Sequence, residues 1–286
     1  MSVDAPVANR EPTAGPGSAE GGRGGLRLRP YVRAMYLSFR QRVKEQLRIG
    51  FIIGPIVGST GPAVTLAWAA GRGDNPEATS YVFIGFSLYT MWLMGIAMIG
   101  WSLTGEAWAG TLDLMMTTRT PLPLIMLGKA LGLIAYISIP ATYAFFVVLL
   151  VGGRAPSIDS VPLLVIAVVM AVVALVATHF LFAPLAFISG TTSGFISSFM
   201  PLGGVITGFL FPIGLLPSPL DVLAHGLPTS WAMSAIVRSI EGGAFIDVLA
   251  DWGIALALCA VYAAVTVVLF GVAERRVRRR GNLGAL

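Results

Sequence analysis

Four charged side chains stand isolated in a long apolar stretch: Glu106, Asp113, Arg119 and Lys129 are the only charges between Glu77 and Arg154. Their types and spacing suit polar contacts with water or a partner, not covalent chemistry. A phosphate-cradling loop ends in Gly-Lys-Ser/Thr, but Lys44 follows Val43 and Lys129 precedes Ala130. His179, His225 and Cys259 do not make an ordinary zinc set, and one cysteine allows no intrachain disulfide. The apolar runs contain no paired carboxylates, no serine beside a base and no histidine cluster. Charges so placed require water at one membrane face. The segment from Trp101 to Lys129 is therefore expected to be a cytoplasmic helical elbow, on which a separate soluble motor acts.

The elements that position this elbow follow from composition. Of 286 residues, 56% are hydrophobic and 12% charged, whereas a soluble domain carries about 25% charged residues. Apolar runs at 49–70, 81–103, 123–151, 161–189, 193–216 and 251–273 are each long enough to cross a bilayer. The expected fold is an all-α polytopic membrane protein whose single domain, 49–273, has six transmembrane helices, with the elbow over 104–122 between the second and the third. Connectors are expected at 71–80, 152–160 and 189–193, and a longer one at 217–250.

Residues 1–25, rich in Gly, Pro, Ala and Ser, read as a disordered tail. No apolar core of a signal peptide appears before Phe51. Within 26–48, Val32, Tyr36, Phe39, Val43 and Leu47 recur at spacings of three or four among basic residues. That pattern predicts an amphipathic interfacial helix, with a solvated basic helix as the alternative. Residues 274–286 form a basic tail.

Nine Lys and Arg residues precede the first run, two lie in the elbow region and five in the tail, against Arg72, Arg154 and Arg238 on the opposite side. The positive-inside rule then puts both termini in the cytoplasm. Clustering of the basic residues beside apolar runs points to lipid headgroups, not nucleic acid.

Prolines 55, 62, 140, 184, 201 and 212 predict kinks. Gly85, Gly95 and Gly100 permit close helix approach, His179 reads as a packing or hydrogen-bonded histidine or a proton relay, and Lys129 can snorkel to the interface. After Phe211-Pro212 and Leu216-Pro217 the backbone must turn near the outer face. The short patterns broken by Gly226 and Pro228 predict a re-entrant or interfacial helical hairpin between spans five and six.

The order Glu106, Gly110-Thr111-Leu112-Asp113, Thr120-Pro121-Leu122 and Leu127-Gly128-Lys129 resembles the membrane subunit of ABC transporters of the type-two export family. The outer series Phe211-Pro212, Leu216-Pro217, Leu227-Pro228-Thr229-Ser230-Trp231-Ala232 and Arg238 resembles the same family. The turn Ser189-Gly190-Thr191-Thr192-Ser193 departs from it by lacking basic residues.

The resemblance implies a permease of an ATP-driven exporter in the cell membrane. Two permease chains, as a homodimer or with a paralogue, form the path, and ATP-binding cassette ATPase subunits bind ATP and magnesium. No catalytic residue, cofactor or metal site is implied in this chain, and membrane lipid surrounds it. It further implies ATPase coupling through a coupling helix over 104–118, with Glu106, Trp108, Gly110, Thr111, Leu112, Asp113 and Arg119. The outer re-entrant segment would carry Phe211, Pro212, Pro217, Pro228, Trp231 and Arg238. Nearly charge-free spans suit an amphiphilic substrate, such as a drug, lipid or glycolipid. The alternatives are a membrane scaffold or assembly protein and an ion-coupled carrier.

Overall fold

The computed structural model describes residues 28–71, 84–152 and 160–280. The 1–25 tail, most of the connectors at 71–80 and 152–160, Arg72, Arg154 and residues 281–286 lie outside the described residues. All regular structure among the described residues is helical.

Helix α1 (Leu28–Gln46) is followed after a two-residue turn by α2 (Ile49–Gly71). Pro55 has no N–H for the carbonyl of Phe51, and the hydroxyl of Tyr136 donates to that carbonyl instead. A proline that would leave a polar group orphaned in hydrocarbon thus becomes a point of attachment between helices.

Helix α3 (Phe86–Gly100) breaks at Trp101 and continues as α4 (Ser102–Trp108). Then come α5 (Thr111–Met116), the 31-residue α6 (Leu122–Gly152) and the 29-residue α7 (Val161–Ser189). Helix α6 packs on α1, α2 and α3, while α3 also packs on α7 and α8 (Thr192–Ile206). A short 3-10 turn, Ile213–Leu215, leads to α9 (Ser218–His225), α10 (Pro228–Ile240) and α11 (Phe245–Arg280), and both α10 and α11 pack on α7.

The three glycines of the second span are contact points. A β-carbon would overlap the Phe209 carbonyl at Gly85 and the His179 ring at Gly95, and at Gly100 it would lie 3.0 Å from Ile196. Between these contacts the indole of Trp92 is fully buried over Gly203, 5.3 Å from His179 and edge-on to Phe182. Its Nε1 donates to the carbonyl of Met200 at 3.2 Å. Small residues on one helix and an aromatic on the next let α3, α7 and α8 interlock without an aqueous driving force.

Among the described residues, five helices, Phe51–Ala69, Phe86–Trp108, Leu122–Gly152, Val161–Ser189 and Phe245–Arg279, are long and apolar enough to cross a membrane. The expected fifth span, 193–216, differs. Its helix has 15 residues and ends at Ile206, which at 1.5 Å per residue gives about 22 Å, less than the ~30 Å hydrocarbon core. Thr207 turns its hydroxyl back to the Gly203 carbonyl, and Gly208 takes a left-handed φ of 74° that stops the helix. The chain then folds inward, so that Phe209 is fully buried. The last helix also runs longer than its apolar run, through Glu274 to Arg280, and Arg276 donates to the Ile188 carbonyl at the end of α7.

Candidate functional site

The elbow comprises two short helices, not the single helix expected over 104–118. Ala109 and Gly110 separate α4 from α5, and Gly110 has φ 68°, a left-handed turn that glycine enters without strain. At seven and six residues, neither helix is long enough to hold itself in water, where roughly 12–15 residues are needed. Tertiary contacts must fix them.

Those contacts converge on Glu106. Its Oε1 lies 2.5 Å from Lys129 Nζ, and its Oε2 accepts a hydrogen bond from Thr111 Oγ1 at 2.5 Å. The two charged side chains are only 14% and 8% exposed. One carboxylate therefore joins α4, α5 and α6. Glu106 sits in the last turn of α4. Lys129 does not snorkel to water. A second tie joins Thr104 Oγ1 to Thr192 Oγ1, 2.9 Å apart and buried, between α4 and the start of α8.

Helix α1 crosses α6 beside this junction. Gly128 and Gly132 are one turn apart on α6, and α1 lies so close that a β-carbon at Gly128 would overlap the Met35 carbonyl. At Gly132 it would lie 2.9 Å from the Phe39 carbonyl and 3.0 Å from Arg42 Cβ. Glu45 faces the junction from α1. Burial pushes its carboxyl up, but hydrogen bonds from Arg42 and Gln41 and the charges of Arg42 and Lys129 outweigh this and hold it below its ordinary value. On α1, Tyr31, Val32, Tyr36 and Leu37 stay exposed.

The elbow residues singled out by sequence thus divide. Glu106, Thr111 and Leu112 point inward, with Leu112 only 1% exposed. Trp108, Gly110, Asp113 and Arg119 are exposed, and Leu114, which sequence reasoning passed over, joins them at 69% exposure. The Trp108 ring lies 5.2 Å from that of Trp101. An exposed Trp and Leu beside a carboxylate, on helices braced from behind, form a surface suited to a protein partner.

At the other end of the helices, the residues of the expected re-entrant segment divide too. Pro212, Trp231 and Arg238 line one cavity of about 510 Å³, with Gly208, Ser234 and Glu241 on its wall. Pro217 precedes the first residue of α9 and Pro228 begins α10, both as helix starts. Phe211 is half-buried outside this cavity's lining. Sequence reasoning missed Asp251, a buried carboxylate that accepts a hydrogen bond from Ser234 at 2.8 Å and lies 3.4 Å from Arg238 Nε. The available signal was an acid in an apolar run, thirteen positions beyond the segment's lone arginine.

His179 is fully buried in the α3–α7 contact, where its ring fills the space above Gly95. Among the described residues no group of His, Cys, Asp and Glu has the arrangement of a metal site.

Residues 60–268 match the family model described as ABC-2 family transporter protein. No curated protein matches the chain.

Proposed function

Because that match spans well over half of its length, the chain belongs to the ABC-2 transporter family, as an ABC-2 type membrane permease, and we propose that it serves an ATP-driven exporter. The observation that carries this reading is the exposed Trp108, Asp113 and Leu114 face on an elbow anchored from behind by Glu106 and Lys129. An ATPase subunit docks on that face, and its nucleotide-driven closure displaces the elbow. Displacement changes the membrane part only if the docked contact differs between two states.

In this proposal ATP and magnesium belong to the ATPase, since the sequence offers no Gly-Lys-Ser/Thr loop. Two permease chains make the path. The short α8, continued by the inward-folded residues 207–211, serves as the fifth of six spans. Helices α9 and α10 form the re-entrant hairpin on the outer side. Helix α1 lies at the cytoplasmic interface, with Val32, Tyr36 and Leu37 toward lipid. Both termini are cytoplasmic, the membrane is the cell membrane, and the substrate is an amphiphile suited to spans with few fixed charges.

The test is reconstitution of the chain with a candidate ATPase in lipid vesicles. The proposal expects hydrolysis and amphiphile transport only when both proteins are present. A scaffold would bind a partner without transport, and nucleotide binding by the isolated chain would count against the assignment.

A further inference from the structure

We propose that Glu106 and Lys129 form a positioning strut that makes the elbow and the inner end of α6 move as one rigid body. The inference rests on the permease reading and names the residues through which a push on the elbow enters the spans.

The elbow has an evident place to bend. Gly110 lies in a left-handed turn between two helices of seven and six residues, and nothing lies within 4 Å of where its β-carbon would be. A force applied at Trp108 or Leu114 would be absorbed there unless something bridged the turn. Glu106 bridges it. One carboxylate oxygen accepts from Thr111 on α5, and the other meets Lys129 on α6.

The bridge is stiff because it is buried. Lysine ordinarily carries its charge to water on a flexible stem, yet the Lys129 side chain is 8% exposed and the α1 backbone closes over neighbouring Gly128 and Gly132. Swinging the elbow away would separate two charges in surroundings that cannot solvate them. Movement of the elbow together with α6 avoids that penalty. Beside the junction, Arg42 and Glu45 on α1 are hydrogen-bonded to each other at 3.0 Å.

The test places spin labels at Thr117, directly after α5, and at Ala135 on α6, both exposed, in a chain carrying Cys259→Ala. With the strut intact, the distance distribution is narrow and unchanged by ATP in the assembled complex. Lys129→Met should broaden it and lower transport per ATP hydrolysed by about fivefold or more, the scale of a lost coupling interaction, while ATPase association persists. Lys129→Arg should preserve both readouts, and the exchange Glu106→Lys with Lys129→Glu should restore them. Glu106→Gln, which keeps the side-chain shape, serves if Lys129→Met fails to insert. A distribution in these variants as narrow as in wild type, with unchanged transport per ATP, would overturn the strut. So would an ATP-dependent distance in wild type. If no ATPase binds even the wild-type chain, the permease reading fails, while the distribution width in the isolated chain still decides for or against the strut.

Discussion

Lys129 Nζ sits 2.5 Å from Glu106 Oε1 across 23 residues of chain, with both side chains largely withdrawn from water. Breaking such a pair leaves one buried charge uncompensated, at a cost of about 3–5 kcal/mol. Lys129→Met alone should therefore lower the unfolding temperature in detergent clearly. Adding Glu106→Gln should recover much of the loss, since no unpaired charge remains. An equal loss in the single and double variants would mean that packing, not charge pairing, holds the junction.

Gly203 concerns the middle of the bundle. Its α-carbon lies under the Trp92 indole so closely that any β-carbon would overlap the ring. Gly203→Ala should destabilise the chain by about 1–3 kcal/mol through overpacking. Gly105→Ala, with open space at its β-carbon, should not. Thermal unfolding of the two variants side by side checks the contrast, which vanishes if Trp92 can move aside.

Some of this architecture was written plainly in the chain. The run 161–189 coincides with α7, and Gly85, Gly95 and Gly100 are where neighbours approach α3. These features depend on local composition or on the absence of a side chain. The partnership of Glu106 with Lys129 was not legible, because opposite charges 23 residues apart acquire a partner only once the α4–α5 turn is built. The early end of α8 was hidden for a related reason. Residues 207–211 are as apolar as a helix interior, and Gly208 together with the buried seat of Phe209 decides their path.

Acid should loosen α1. Arg42 Nη1 and Gln41 Nε2 donate to Glu45 at 3.0 and 2.9 Å, and the carboxyl's net shift is downward from 4.5. A depressed carboxyl contributes fully above its ordinary value and loses that contribution as pH falls through the folded-state value. A nitroxide at exposed Leu37 should thus gain mobility only below about pH 4.5. Glu45→Gln should remove that transition, and its persistence would place the responsible group elsewhere.

Sidedness can be read with impermeant thiol reagents in intact cells. In a Cys259→Ala chain, a cysteine at exposed Ser218 on α9 should react and one at exposed Thr118 in the elbow should not. The reverse pattern would put the elbow outside, beyond the reach of any cytoplasmic ATPase.

The proposed docking face is distinct from the strut behind it. Asp113→Lys with Leu114→Asp changes only exposed side chains of α5, so the chain should fold and insert as wild type does. Reversed and newly placed charges in a desolvated contact weaken association by roughly 2–5 kcal/mol. The decisive measurement is the amount of ATPase co-purifying with this double variant, beside wild type, after equal membrane insertion is verified. Association should fall at least tenfold, and ATP-driven transport should be lost with it. Full ATPase recovery with full transport would show that the elbow face is only a solvated connector.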